Sequence, residues 1–209
     1  MPIRSECPEG KEGSRRKERV KRTVIAGVCL LVFAFGVSAH PYGSGAVDTG
    51  FSESLRHGDA HLAAGEFALA VSAYEEAVEK VPYAAEGHLR LARALYSWGD
   101  RVRELRSDLW ARSVEEAARG RELDPFLAEA GFLEALIYFR TGDYRKALAV
   151  YRDLARFREG DPELQIDIAL VEFRLGRKKA AVAALERARV LDPSSERLHR
   201  VARLILAGW

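Results

Sequence analysis

Apolar side chains recur every three to four residues from residue 51 to residue 207, the period of amphipathic helices, and short breaks containing glycine, proline or polar residues interrupt them. The pattern predicts helices over 51–63 and 66–80, 84–98 and about 103–123, 126–140 and 144–158, and 162–175 and 178–191, with a last helix near 195–207. The breaks keep a period. Gly65, Gly99, Gly142 and Gly176 are separated by 34, 43 and 34 residues, and two downstream rows stay in step: Ala70, Ser113, Ala147 and Ala181, then Tyr74, Ala117, Tyr151 and Leu185. A helix pair repeated at this spacing predicts an all-α solenoid of antiparallel pairs, because the apolar face of one pair is covered only when neighbouring pairs stack on it.

Local chemistry supports the same division. Ala70, Ala73 and Ala77 lie three to four residues apart, so they share a helix face and let a second backbone come close, with Tyr74 filling the space among them. Gly65 ends a helix where positive φ is needed, and Pro82 stops the next by removing a donor. Asp124-Pro125, Asp161-Pro162 and Asp192-Pro193 each set a capping carboxylate before a proline suited to a first helical turn. The second pair is longer than the others. Its surplus, RVRELRSDL (101–109), is expected to lengthen the start of the second helix, since Val102, Leu105, Leu109 and Trp110 keep roughly helical spacing.

At GEF (65–67) and GDY (142–144), followed by the alanine, tyrosine and alanine positions and the closing Pro82, the chain resembles the tetratricopeptide repeat (TPR) family over roughly residues 51–195. The resemblance implies four units, at about 51–84, 85–127, 128–161 and 162–195, and a C-terminal capping helix at 196–207. It also implies a non-catalytic scaffold that holds a protein or peptide partner in a concave groove lined by the first helix of each pair. In register, that groove presents Leu55, Leu89, Phe132 and Ile166 in one row and Leu62, Tyr96, Phe139 and Phe173 in another, with Asp59, Arg93, Leu136 and Leu170 between them. Glu86, Glu129 and Glu163 edge it near the helix starts, and Arg140 and Arg174 near the ends. An apolar, aromatic floor between rims of opposite charge suits an amphipathic helix or an apolar extended peptide. The lysines and asparagines with which TPR co-chaperones grip acidic tails of cytosolic chaperones are absent from these rows, which argues against that role. The alternative is that this surface is covered by the final helix (Leu198, Val201, Leu204, Ile205) or by a second copy of the chain, as in a self-associating structural protein.

Composition adds location and exclusions. With 48% hydrophobic and 31% charged residues the chain has the makeup of a folded protein. Of 33 basic and 31 acidic residues, eight and four fall in 1–39, which leaves 25 and 27 over 40–209. That near-neutral remainder argues against a nucleic-acid partner, which needs concentrated cationic surface. A basic leader (1–22) precedes an uncharged apolar run, 23–39, and residues 40–55 contain no lysine or arginine. This is the form of an export signal, with Val37-Ser38-Ala39 fitting a signal-peptidase site and His40 the mature start. The other reading is an uncleaved anchor, although seventeen helical residues span about 25 Å against a hydrocarbon core of about 30 Å. Either way the domain is expected outside the cytoplasm, periplasmic or membrane-tethered, behind a flexible Gly/Pro/Ser-rich spacer at 40–50. Both cysteines, Cys7 and Cys29, precede the domain, so it cannot depend on disulfides or thiolate chemistry.

Candidate chemistry is sparse. His57 and His61 stand four apart on one helix and His88 on the corresponding helix of the next pair, but no carboxylate completes a ligand set at a suitable position, so no metal is expected. No HExxH, CxxC, GxSxG or phosphate-loop pattern occurs, and neither a cofactor nor a catalytic constellation is expected. The sequence therefore reads as a non-enzymatic adapter, exported or anchored, that holds a peptide or partner subunit during assembly in the cell envelope.

Overall fold

The computed structural model describes residues 49–207. Those residues form nine α-helices and one 3-10 turn, with no strand among them: α1 (Thr49–Ala64), α2 (Phe67–Lys80), α3 (Ala85–Arg101), the 3-10 turn (Arg103–Leu105), α4 (Arg106–Leu123), α5 (Ala128–Thr141), α6 (Tyr144–Ala155), α7 (Pro162–Arg174), α8 (Lys178–Leu191) and α9 (Glu196–Ala207). Each odd-numbered helix from α1 to α7 packs on the even-numbered helix after it, and each pair packs on the next. The fold is the all-α helix-pair solenoid that the periodicity predicts. α9 packs on α7 and α8, in the place a further first helix would take. The leader and the signal or anchor segment at 1–39 lie outside the described residues, as does most of the 40–50 spacer. Its last two residues are helical, because α1 begins at Thr49. No helix among the described residues is long and apolar enough to cross a membrane.

Small residues let the helices meet. Ala70, Ala77, Ala117, Ala147 and Ala181 are fully buried, whereas Ala73 is only half-buried. Ser113 stands in the alanine row of the second pair, where its hydroxyl donates to the Ala92 carbonyl at 2.7 Å. One core cluster, with Leu55, Tyr74 and Leu95, serves the first two pairs, and a second, with Tyr151, Ile166 and Ile205, serves the last two and α9.

The boundaries correct two expectations. Gly65, Gly142 and Gly176 adopt positive φ, at 77°, 88° and 72°, and end their helices as predicted, but Gly99 lies buried inside α3, which runs on to Arg101. The 101–109 surplus is therefore shared between an extra turn of α3, the 3-10 turn and the start of α4. Gly99 is needed for close approach instead: a Cβ there would stand 2.7 Å from Cδ1 of Trp110. Arg106 stabilises the lengthened end of α3 by donating to the carbonyls of Gly99 and Asp100 at 3.0 and 3.1 Å. Of the three Asp-Pro steps, only Asp161 caps a helix, accepting from the backbone of Glu163 and Leu164. Asp124 and Asp192 instead close turns one or more residues earlier, accepting from the backbone N–H of Phe126 and Ser194.

Candidate partner-binding surface

The two rows of first-helix residues have different fates. Leu55, Leu89 and Ile166, predicted to line the groove, are core residues at 8%, 2% and 0% exposure. In the second pair this follows from close helix packing: a Cβ on Gly120 of α4 would lie 3.6 Å from the Leu89 nitrogen, so Leu89 is covered by its own partner helix. Only Phe132 of that row stays partly accessible, its ring 6.2 Å from that of Tyr151. The second row, Leu62, Tyr96, Phe139 and Phe173, is half-buried throughout. Leu136 and Leu170 between the rows are respectively 37% exposed and half-buried, and Arg93 is exposed. Asp59 is exposed and accepts from the Tyr74 hydroxyl at 2.7 Å and from Arg90.

The rims also differ from expectation. Arg140 and Arg174 do not stand apart from the aromatics as a separate cationic edge; each lies over an aromatic ring of the preceding pair. The Arg140 guanidinium is 5.6 Å from the Tyr96 ring and 4.8 Å from that of Trp110, and it donates to the Tyr96 hydroxyl at 2.5 Å and pairs with Asp100 at 2.9 Å. Arg174 lies 5.8 Å from the Phe139 ring, which meets Tyr144 edge-on at 5.5 Å. The acidic rim is partly neutralised, since Glu86 pairs with Arg90 and Glu163 with Arg197 of α9, each at 2.6 Å. α9 reaches the groove edge by that contact, but its packing buries Leu198 and Ile205 against the fourth pair and leaves Leu204 exposed.

The histidines are separated by their partners. His61 bonds Glu66 at 2.6 Å, while buried His88 bridges Glu116 and the Pro82 carbonyl at 2.7 and 2.9 Å. Among the described residues no group of three or more His, Cys, Asp or Glu is placed to hold a metal ion. Sequence reasoning missed Trp110 as a surface organiser. Its indole donates to the Tyr96 carbonyl at 3.2 Å and stacks on the Tyr96 ring at 5.5 Å, and beside it opens a cleft of about 850 Å³ between α4, the end of α5 and the start of α6. The only signal in the sequence was the aromatic at the end of the surplus segment.

A family profile described as tetratricopeptide repeat matches residues 55–100, 103–162 and 132–196. The chain belongs to the tetratricopeptide repeat family. Solved structures with the same fold include MamA, residue 41 to the end, from Desulfovibrio magneticus RS-1 (16% identity, TM-score 0.67, covering 78% of this chain and 87% of that one). TTC0263, a thermophilic TPR protein in Thermus thermophilus, gives 19%, 0.59, 75% and 87%, and a TPR protein from Parabacteroides merdae ATCC 43184 gives 14%, 0.64, 77% and 61%. At these identities the likeness is one of fold. No curated protein matches the chain. A tetratricopeptide array is a protein–protein interaction scaffold, and repeats of this family are generally non-catalytic interaction modules.

Proposed function

We propose that this chain is a non-catalytic adapter outside the cytoplasm that holds an apolar or amphipathic segment of a partner protein along its first helices during cell-envelope assembly. The observation that carries the reading is the half-buried strip of Phe132, Leu136, Phe139, Leu170 and Phe173 on α5 and α7, apolar surface that an isolated array leaves in water. The basic leader and apolar run at 1–39 support the location.

A partner crosslinked to the chain in envelope fractions, then titrated against folded variants at two salt concentrations, tests the groove. Phe139→Ala or Phe173→Ala should weaken binding at least about tenfold with helicity unchanged, whereas Arg174→Ala should do so modestly and mainly change salt dependence. Equal affinity of wild type and both phenylalanine variants would rule the groove out. A second reading, self-association, is favoured by the exposed apolar residues at the far end of the array, Val190, Leu191, Leu204 and Leu206. It requires oligomers that grow with concentration and disappear in Leu204→Glu.

A further inference from the structure

We infer that the cleft between α4 and α6 is a second docking site, one that takes an acidic, apolar-centred peptide segment of a partner protein. It is distinct from the first-helix strip, since its walls are second helices and its floor is the last turn of α5, with Ile137 and Tyr138. Four cations line it, Arg103 and Arg106 from the surplus segment, Arg140 from α5 and Lys146 from α6, against two carboxylates, Glu115 and Asp143. Lys146 approaches Asp143 only to 3.7 Å, and Arg140 pairs with Asp100. Arg106 is held by carbonyls, which leave its charge uncancelled, and exposed Arg103 has no carboxylate within ion-pair distance among the described residues.

The surplus segment supplies two of the four cations, Arg103 and Arg106, so the charge of this cleft comes in part from the one irregular stretch of the array. The guanidinium groups of Arg106 and Arg140 lie 5.1 and 4.8 Å from the Trp110 ring, and Lys146 lies 5.2 Å from the Tyr138 ring, so the cations are positioned on aromatic walls.

Guanidinium groups favour carboxylates through paired N–H bonds, and the apolar floor suits one or two buried side chains between them. Nucleic acid fits less well, because the domain's overall charge is slightly negative.

The test uses the full-length chain in mild detergent and a fluorescent hexapeptide in which four glutamates flank a central leucine and phenylalanine, with a glutamine version as control. The acidic peptide should bind at least about tenfold tighter than the glutamine peptide, and Arg103→Glu combined with Lys146→Glu should remove that preference with helicity unchanged. Phe173→Ala, which disables the first-helix strip, should leave it intact, so failure here and failure of the groove reading are told apart. No binding of the acidic peptide at millimolar concentration, equal binding of the two peptides, retention of the preference in the double variant, or tighter binding of a 20-nucleotide single-stranded DNA would each overturn the assignment.

Discussion

The second and fourth helix pairs occupy the same register and are built differently. In the fourth pair Gly176 sits at the turn, exposed, at a φ of 72° and with nothing within 4 Å of where a Cβ would stand. In the second, the register-equivalent Gly99 is buried in a helix that continues past it, beneath the Trp110 ring. Nine surplus residues, the difference between spacings of 43 and 34, are absorbed without disturbing the stack because the extra length stays at one edge and is clamped by Trp110 and Arg106. The junctions differ as well. Pair two meets pair three through Arg140 stacked on aromatic rings at the surface, whereas pair four meets α9 through Arg197, which reaches the exposed Glu163 and the more buried Asp167. One repeat frame therefore supports an edge held by aromatic clamping and another held by one arginine shared between two carboxylates.

The largest effect expected from breaking this difference is at Trp110. It is 5% exposed, and its removal leaves a cavity against Tyr96 and Gly99, so Trp110→Ala should cost about 3–5 kcal/mol in urea unfolding. Phe157→Ala, on a 57% exposed ring of the regular region, should cost well under half as much. A loss at Trp110 below about 1 kcal/mol would mean that the surplus segment is not held by this clamp.

The contrast also explains what was legible in the sequence. The succession of helices, the buried alanine rows and the turns at Gly65, Gly142 and Gly176 were readable, because a helical period and a repeated glycine each fix a local conformation irrespective of the neighbours. Gly99 was misread for that same reason: glycine permits both a left-handed turn and a close helix contact, and only the position of Trp110 decides between them. Within the candidate surface, register put Phe139, Phe173 and Leu136 on accessible ground but could not tell them from Leu55, Leu89 and Ile166, which also lie on first helices. That distinction depends on where adjacent pairs close together, and the pairing of Arg140 with Tyr96, 44 residues away, depends on stacking between pairs.

A smaller effect sharpens the glycine comparison. Gly99→Ala gains about 1 kcal/mol of helix propensity but pushes a methyl into the indole, a conflict worth about 1–3 kcal/mol, so the net change should be a modest destabilisation. Combined with Trp110→Ala, the same change should become neutral or stabilising. Gly176→Ala should cost about 1–2 kcal/mol from left-handed strain whether or not Trp110 is present. A double-mutant cycle that gave Gly99 and Gly176 the same coupling to Trp110 would mean that the two glycines do one job.

The smallest effect concerns the fourth-pair junction and appears only as a pH dependence. Burial raises the pKa of Asp167, outweighing the opposing attraction of Arg197, while nearby Glu163 and Asp161 add to the rise. A carboxyl whose folded-state pKa lies above its unfolded value stabilises the fold fully below the unfolded value, and that contribution is lost as pH rises through the folded one. Asn at this position has no proton to lose. The stability margin of wild type over Asp167→Asn should therefore be wider below about pH 4 than at about pH 7, with urea unfolding at each pH as the readout. A margin over Asp167→Asn that widened toward neutral pH would show that Arg197, rather than burial, sets the charge state of Asp167, and the fourth-pair junction would then be a stabilising ion pair at neutral pH.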